Sequence, residues 1–317
     1  MCTAIAYKNG ESYFGRNLDL ERGYGERVVV TPRNFPLKLR LEKPLTSHYA
    51  IIGMATVYKN FPLYYEGANE KGLGMAGLNF PNNAVYRPFD KEKINIVPFE
   101  FIPWVLGKCS CVDEAKTLLK NVNLVSASFS ESLPLTPLHW MISDKQKSIV
   151  VESLKDGVRV QDNPFGVLTN NPPFDFHKIN LNNFMHLHAK GAKNMFSDTF
   201  NFHNYSLGMG ALGLPGDFSS ASRFVKAFFV KENSVSKKNE RENVNQFFHI
   251  LSCVAMPKGC VWTSGGFEFT RYSSCINLNR GVYYFKTYQN QTVKSLNLTS
   301  VNLNDTHLFA RKVSGLD

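Results

Sequence analysis

The 317-residue sequence has no apolar run close to the roughly 20 residues that a membrane-spanning helix needs. Its N-terminus has neither the basic start nor the apolar core of roughly 7–15 residues found in secretory signals. Internal repeats and recognised nucleic-acid-binding motifs are lacking as well. The excess of 36 Lys and Arg over 26 Asp and Glu is scattered along the chain. We therefore expect a cytoplasmic protein without a membrane or nucleic-acid partner, whose net charge of +10 suits a small anionic ligand.

Cysteine is sparse, with six in 317 residues, and its spacing does not form a metal site. Cys109 and Cys111 lack the second Cys pair or His pair of a zinc centre. In a long chain without a signal, these counts favour reduced thiols over disulfides. We expect neither a metal nor an organic cofactor. Five cysteines are predicted to be core residues, namely Cys109, Cys111, Cys253, Cys260 and Cys275.

The remaining cysteine, Cys2, becomes the first residue if Met1 is removed, as happens when a small residue follows it. An α-amine titrates near pH ~8 and a thiol near pH ~8.5, so both are available close to neutral pH. The amine can accept the thiol proton directly or through one water, so one residue supplies both nucleophile and base. Taken alone, Cys2 is better explained as a small hydrophobic residue that packs in the core.

A hairpin is predicted at the start of the chain, because Asn9 and Gly10 form a two-residue turn signal between apolar strands. The second strand would return Arg16 and Asp19 to the neighbourhood of Cys2. A guanidinium favours the thiolate, and a carboxylate can orient the amine. The alternative is an ordinary ion pair at a strand end.

Three polar residues further along the chain are candidates for the same site. Asn79 ends a glycine-spaced extended run, and Asn170 follows a second apolar strand. Either amide can donate to a developing oxyanion, although both are also compatible with turn residues. Arg223 lies in the first turns of a predicted helix that begins with Ser caps, where it either braces a thiolate or holds a surface carboxylate.

Strands and helices are predicted in segregated blocks, which indicates a layered α+β fold rather than a doubly wound parallel sheet. The predicted strands are 2–7, 12–15, 27–32, 49–57, 73–80, 138–143, 148–154, 158–161, 166–169, 265–272, 274–278 and 282–287. The predicted helices are 98–106, 112–120, 182–188, 221–231 and 243–256.

The order of these motifs resembles that of the choloylglycine hydrolases, the bile salt hydrolase and penicillin V acylase group of N-terminal-nucleophile hydrolases. The motifs are Cys2, 15–19, 77–79, 168–172 and 222–223, and the likeness continues through 263–266 and 271–272. The resemblance implies a single domain over residues 1–317. It also implies a four-layer αββα sandwich, with two antiparallel sheets between helix layers, and a homotetramer.

The resemblance further implies hydrolysis of the amide that joins a bile acid to glycine or taurine. The N-terminal cysteine is then nucleophile and base, while Arg16 and Asp19 position the substrate carbonyl and the cysteine's amine and thiol. Asn79 and Asn170 are similar to oxyanion-hole or amide-positioning groups, and Arg223 supports the thiolate. Asn rather than Tyr at position 79 favours bile salts over penicillin V.

A rigid steroid needs a wide apolar pocket, and apolar residues near the motifs are candidates to line it, although core packing is the alternative for each. These residues are Leu18, Leu20, Tyr24, Phe61, Tyr65, Phe129 and Leu133. The loop 208–210 is a candidate for contact with the amino-acid end of the substrate. Two other functions stay open: a penicillin V acylase with the same mechanism, and a non-catalytic small-molecule-binding protein.

Overall fold

The computed structural model describes residues 1–316. The strands in chain order are β1 (Cys2–Asn9), β2 (Glu11–Leu20), β3 (Glu26–Thr31), β4 (Ile51–Tyr58), β5 (Phe61–Asn69), β6 (Gly74–Asn79), β7 (Ile94–Ile96), β8 (Val122–Leu124), β9 (Leu138–Ser143), β10 (Ser148–Leu154), β11 (Gly157–Asp162), β12 (Val167–Leu168), β13 (Val261–Thr263), β14 (Gly266–Asn277), β15 (Val282–Thr287), β16 (Lys294–Asn297) and β17 (Phe309–Lys312). The α-helices are α1 (Phe101–Lys108), α2 (Val112–Leu119), α3 (Phe174–Asn180), α4 (Ser220–Glu232) and α5 (Glu240–Ser252). Short 3-10 helices are Pro98–Glu100, Leu181–Phe184, Met209–Ala211 and Leu298–Ser300.

Two large antiparallel sheets form the centre of the fold. The first has the order β12-β1-β2-β14-β15-β16, with β13 paired to β14, and the second has the order β11-β10-β9-β6-β5-β4-β3-β17. Strands β7 and β8 form a small parallel pair. Helices α4 and α5 contact the first sheet, and α1 and α2 contact the second. These four layers confirm the predicted α+β sandwich of two antiparallel sheets between helices.

The second sheet is buried on both faces, and β3 shows how its sequence meets that requirement. Val28 and Val30 belong to the apolar cluster that includes the facing first sheet, whereas Val29 belongs to the cluster that includes α1 and α2. All three are fully buried. Side chains alternate between the two faces of a strand, so a run of β-branched residues fills both apolar layers at once.

The first hairpin forms as predicted. Gly10 has a φ of 77°, a conformation that glycine adopts without steric cost, and it connects β1 to β2. In the resulting register Cys2 is opposite Leu18 and Ala4 is opposite Arg16. Gly15 packs against the neighbouring strand so closely that a Cβ there would lie 2.1 Å from the Ser274 carbonyl oxygen. The hairpin therefore fixes β14 beside β2 as well as the start of β1.

Two parts of the prediction, one helix and one pair of strands, differ from the structure. The helix predicted at 182–188 is wrong: α3 begins earlier, after Pro173, and only the 3-10 turn Leu181–Phe184 follows it. That turn buries none of its residues, so no apolar face supports a longer helix there. The strands predicted at 265–272 and 274–278 are one continuous strand, β14.

Strand β5 was not predicted at all. It contains Pro62 and the fully buried Glu66, two residue types that rarely occupy central strands. Within residues 1–316, no helix combines the length and apolar character needed to cross a membrane.

Candidate active site

Cys2 is the first residue of β1, and only 3% of its surface is exposed. Its backbone nitrogen donates a hydrogen bond to Asn170 Oδ1 over 2.8 Å. Its carbonyl oxygen accepts a hydrogen bond from Arg223 Nη1 at 2.5 Å. The thiol-bearing residue is therefore held on both sides by two residues that are distant in the sequence.

The Asn170 side chain links three parts of the site. Its Oδ1 accepts from the Cys2 nitrogen and also from Arg223 Nη2, at 2.7 Å. Its Nδ2 donates to the main-chain oxygen of Asn79 over 2.7 Å. Two donors face Oδ1 and one acceptor faces Nδ2, so the orientation of the amide follows from its partners. The oxygen of Asn170 therefore points at the nitrogen of Cys2.

Arg223 lies in the first turn of α4, a helix whose cap Ser219 accepts a hydrogen bond from Ser222 through its side chain. The guanidinium is buried, and besides Cys2 and Asn170 it contacts Thr3 Oγ1 at 2.6 Å. Burial lowers the pKa of Arg223, against the opposing attraction of Asp19 and Cys2. The predicted helix start thus delivers a buried cation to Cys2 rather than to a surface carboxylate.

Arg16 is fully buried on β2. Its Nη1 donates to the carbonyl oxygens of Gly77, at 2.5 Å, and Tyr65, at 3.1 Å, while its Nη2 has no hydrogen-bond partner within residues 1–316. Burial acts to lower the pKa of Arg16, but nearby ionisable groups, foremost the Cys2 thiol, outweigh burial and raise it. Arg16 therefore keeps one buried donor, Nη2, that no residue of the described chain satisfies.

A buried carboxylate that sequence reasoning missed lies behind Arg16. Glu66 Oε2 is 4.0 Å from Arg16 Nε, and the Glu66 oxygens accept hydrogen bonds from the hydroxyls of Tyr272 and Tyr283, each at 2.6 Å. Burial raises the pKa of Glu66, against the opposing influence of Arg16 and the two hydroxyls. No local sequence signal marks this group, because strand β5, which carries Glu66, was itself not predicted.

Asp19 is fully buried near the end of β2. Its Oδ1 accepts a 2.6 Å hydrogen bond from Thr270, and its Oδ2 has no partner in the described part of the chain. Its main-chain oxygen accepts a hydrogen bond from the Met1 amine at 3.1 Å, and the same amine pairs with Glu268. Burial lowers the pKa of the Met1 amine. The Met1 amine is therefore held by the main-chain oxygen of Asp19 and by the buried Glu268 carboxylate.

Asn79 is the last residue of β6 and is half-buried. Its main-chain oxygen is bound to Asn170, but within residues 1–316 its side-chain amide makes no hydrogen bond. The amide thus remains able to donate to a ligand. Five of the six predicted catalytic residues join one hydrogen-bonded or electrostatically coupled group, and Asn79 adjoins that group through its backbone.

The predicted pocket residues lie in different surroundings. Leu18 is 3% exposed in the core between the sheets, and Leu20 is partly buried beside it. Tyr24 is 41% exposed in the loop after β2, where Arg22 lies over its ring. The Tyr65 hydroxyl is bound to Thr56 Oγ1 at 2.9 Å, and the Tyr65 main chain holds Arg16.

The remaining predicted pocket residues are Phe61, Phe129 and Leu133, and the first two lie in one aromatic group. Phe61 and Phe129 have ring centroids 6.0 Å apart, and Phe99 packs edge-on against Phe129 at 4.8 Å. Leu133 is half-buried in the loop that also carries Phe129, and its backbone bonds to Ser130. Phe61 is on the same strand as Tyr65, at a separation of about 13 Å for four residues.

Loop 208–210 turns at Gly208, which has a φ of 82°, and Gly210 packs against the backbone of His188 and Lys190. Its contact with substrate stays a prediction. Within residues 1–316, no group of three or more His, Cys, Asp or Glu residues could hold a metal ion.

Two antiparallel sheets between helix layers, with a nucleophilic side chain at the start of a strand, are the arrangement of the N-terminal-nucleophile hydrolases, and Cys2 at the start of β1 fits it. The bile salt hydrolase/transferase of Lactiplantibacillus plantarum is 51% identical over 311 residues, 98% of this chain and 96% of that protein. A crystal structure of a conjugated bile acid hydrolase variant from Clostridium perfringens has a TM-score of 0.92 and 39% identity, and the match covers 99% of this chain and 98% of that one. Penicillin V acylase from Agrobacterium tumefaciens has a TM-score of 0.73 at 22% identity, over 95% and 88% of the respective chains, a likeness of fold alone.

The family model for linear amide C–N hydrolases, choloylglycine hydrolase family, matches residues 2–310. This chain belongs to that family, which confirms the resemblance read from its motifs.

Proposed function

We propose that this protein hydrolyses conjugated bile salts, cleaving the amide between a bile acid and glycine or taurine, with Cys2 as the nucleophile. The observation that carries the proposal is the buried Cys2, whose nitrogen is held by Asn170 between two buried arginines. Relatives that match nearly the whole chain are named bile salt hydrolase/transferase and conjugated bile acid hydrolase. The linear amide chemistry of the family and the residues at the site agree.

The first step is activation of the thiol. Removal of Met1 turns the Cys2 nitrogen into an α-amine, and the hydrogen bond to Asn170 Oδ1 occupies one of its N–H groups. The amine lone pair is then free to accept the thiol proton, directly or through one water. Arg16 and Arg223 favour the resulting thiolate by Coulomb attraction.

The thiolate then attacks the amide carbon, forming a carbon–sulfur bond while the carbonyl electrons move to oxygen. The Asn79 amide, which has no partner in the described residues, donates to that oxyanion. The Cys2 ammonium transfers its proton to the leaving nitrogen, and glycine or taurine departs. Water next attacks the thioester with the amine as base, which releases the bile acid and restores the thiol.

Conjugated bile salts combine a rigid apolar body with an anionic tail, and this protein has features that suit both parts. The candidate pocket includes the aromatic group of Phe61, Phe99 and Phe129, of which Phe61 is buried and the other two are half-buried. The net charge of +10 favours the approach of an anion. Substrate contacts by Leu18, Leu20, Tyr24, Tyr65 and Leu133 belong to the same proposal.

We also propose a single domain over residues 1–317 that acts in the cytoplasm as a homotetramer. All six cysteines are free of disulfides, as a reducing compartment requires. The segment 185–212 exposes large apolar side chains, among them Met195, Phe196 and Leu207, which are 88%, 90% and 101% exposed. Apolar surface of this kind suits burial against another subunit.

The proposal is tested by amine release from glycocholate, taurocholate and penicillin V, with Cys2→Ala beside the wild type. Intact mass first establishes that the purified protein begins at a free Cys2. Cys260→Ala is the matched control and is expected to keep full activity, since the Cys260 thiol is exposed, contrary to its predicted place in the core.

Preferential release from the bile salts, lost only in Cys2→Ala, supports both the nucleophile and the substrate class. Preferential cleavage of penicillin V retains the nucleophile and overturns the bile salt assignment. No turnover by protein with a free Cys2 overturns the hydrolase proposal and leaves a small-molecule-binding function as the alternative.

A further inference from the structure

Two fully buried histidines contact the main chain at the residues that position Cys2. His139 Nε2 lies 3.0 Å from the carbonyl oxygen of Thr169, and His177 Nε2 lies 3.1 Å from that of Asn170. A carbonyl oxygen can only accept, so each Nε2 must carry a hydrogen and donate it. Adjacent carbonyls of the segment that presents the Asn170 side chain are thus held by two imidazoles.

The other ring nitrogen of His139 faces a buried carboxyl. His139 Nδ1 and Glu152 Oε1 are 3.2 Å apart, and both side chains are fully buried. A proton must lie between these two atoms, either as an imidazolium beside a carboxylate or as a carboxyl that donates to a neutral ring. In both states the ring keeps its Nε2 hydrogen directed at Thr169, so Glu152 fixes the orientation of His139.

The same carboxyl oxygen also holds the element that carries His177. Glu152 Oε1 accepts a hydrogen bond from the backbone nitrogen of Phe174 at 3.0 Å, and Phe174 begins helix α3. His177 Nδ1 has no partner within the described chain, which fits a neutral ring with its hydrogen on Nε2. Burial lowers the pKa of His177 to about 4, so the ring stays neutral at physiological pH.

Each histidine ring also stacks on an aromatic residue that adjoins a functional residue in the chain. His139 lies parallel to Phe80 at a centroid distance of 4.2 Å, and Phe80 follows Asn79. His177 stacks on Phe224 at 4.7 Å, and Phe224 follows Arg223. The two rings therefore contact the main-chain oxygens of Thr169 and Asn170 and the rings of Phe80 and Phe224. These two phenylalanines follow Asn79 and Arg223, which the Asn170 side chain binds in addition to Cys2.

We propose that His139 and His177, oriented by Glu152, are positioning residues that fix the 169–170 backbone so that Asn170 Oδ1 faces the Cys2 nitrogen. The expected effect on kcat rests on the proposed function, whereas the positioning of Asn170 does not. Neither histidine touches the reacting atoms. Their effect passes through Asn170 to the Cys2 amine, because without them the main chain at 169–170 loses two of the contacts that set where the Asn170 amide lies.

Two substitutions of His177 separate its hydrogen bond from its packing. His177→Phe keeps an aromatic stack on Phe224 and removes the donor to Asn170. His177→Gln removes the stack but places an amide donor near the position of Nε2. If Phe proves too large to fold, His177→Leu takes its place as the variant without a donor.

We expect kcat for glycocholate to fall by about tenfold or more in His177→Phe, with KM within about twofold, because the base is displaced and the pocket is not. His177→Gln should recover most of kcat. His48→Leu is the matched control: His48 is 8% exposed and also contacts two main-chain carbonyls, but these belong to Phe35 and Tyr49. It should lose stability while kcat stays unchanged.

A second readout does not need a bile salt. The rate at which iodoacetamide alkylates Cys2, followed by the mass of the N-terminal peptide, should fall about threefold or more in His177→Phe and recover in His177→Gln. Unchanged kcat and alkylation in a folded His177→Phe protein would overturn the inference, as would equal impairment in both variants. If wild type hydrolyses no bile salt but the alkylation pattern holds, the proposed function fails while the positioning role stands.

Discussion

Asn170 Oδ1 lies 2.8 Å from the backbone nitrogen of Cys2, although 168 positions separate the two residues in the chain. Strand pairing explains their proximity: Ala4 is opposite Leu168 and Ile5 is opposite Val167 in the antiparallel β1–β12 pair. Continuing this register by two residues places Asn170 beside Cys2. The short strand β12 therefore sets the orientation of the Cys2 nitrogen, which becomes the α-amine when Met1 is removed.

Replacement of the Asn170 side chain should therefore disable the base. In Asn170→Ala the Cys2 amine loses its oriented acceptor and Arg223 loses one partner. We expect kcat for glycocholate to fall by about 10²-fold or more, with a much smaller change in KM. Initial rates of glycine release measure this.

Asn171→Ala is the matched control, because the Asn171 amide donates to the Pro81 carbonyl oxygen instead of to the site. It should retain kcat. Equal losses in the two variants would show that the loop conformation, not the Asn170 amide, governs the rate.

The Asn79 side chain is expected to act later, on the oxyanion. Because it has no hydrogen-bond partner within residues 1–316, Asn79→Ala removes a donor without leaving a protein group unpaired. Loss of one oxyanion donor typically costs about 10²–10³ in kcat. The alkylation rate of Cys2 should stay near wild type, since thiol activation precedes oxyanion formation.

Asn79→Asp separates the oxyanion role from a merely structural one. It keeps the side-chain size but replaces the donor with an acceptor, and its kcat should fall at least as far as that of Asn79→Ala. Near-normal kcat in Asn79→Asp would assign Asn79 to the turn and exclude it from the oxyanion site.

The sequence predicted the parts of the site that depend on local signals. The Asn9–Gly10 turn sets the hairpin that carries Arg16 and Asp19 back to Cys2, and the Ser caps set the start of the helix that carries Arg223. Glu66 could not be predicted, because its role depends on β5 lying next to β6 and on a face-to-face contact with the first sheet. His139 and His177 lay outside the prediction for the same reason, since each acts through a contact made only in the folded chain.

Glu100 predicts a pH-dependent stability. Its carboxyl is 2% exposed, and it accepts the Arg40 backbone N–H at 2.8 Å while Oε2 has no partner in the described chain. Burial raises the pKa of Glu100 to about 7, against opposing effects of Arg40. The folded state therefore keeps a proton that the unfolded state releases above pH ~4.5.

The contribution of Glu100 to the wild-type free energy of unfolding should accordingly fall as the pH rises from about 4.5 to about 7. Glu100→Gln removes the ionisation, so its unfolding temperature relative to wild type should be higher at pH 8 than at pH 4, measured by calorimetry. Glu131→Gln, which changes an exposed carboxyl, controls for the loss of one charge. A difference for Glu100→Gln that is the same at both pH values contradicts the assignment.

Phe129 tests whether the aromatic group is part of the substrate pocket. Arg40 holds its loop through the carbonyl oxygens of Ser128 and Phe129, so the half-buried ring is offered on a fixed backbone. A ring that contacts the steroid equally in the ground state and the transition state contributes to binding but not to kcat. Phe129→Ala should therefore raise KM for glycocholate about tenfold, which corresponds to about 1.4 kcal/mol of binding free energy, and leave kcat within about twofold. Phe35→Ala is the matched control, because Phe35 is buried in the same cluster but is not among the proposed substrate contacts. It should lower the unfolding temperature and leave KM near wild type, whereas an unchanged KM in folded Phe129→Ala would return Phe129 to core packing.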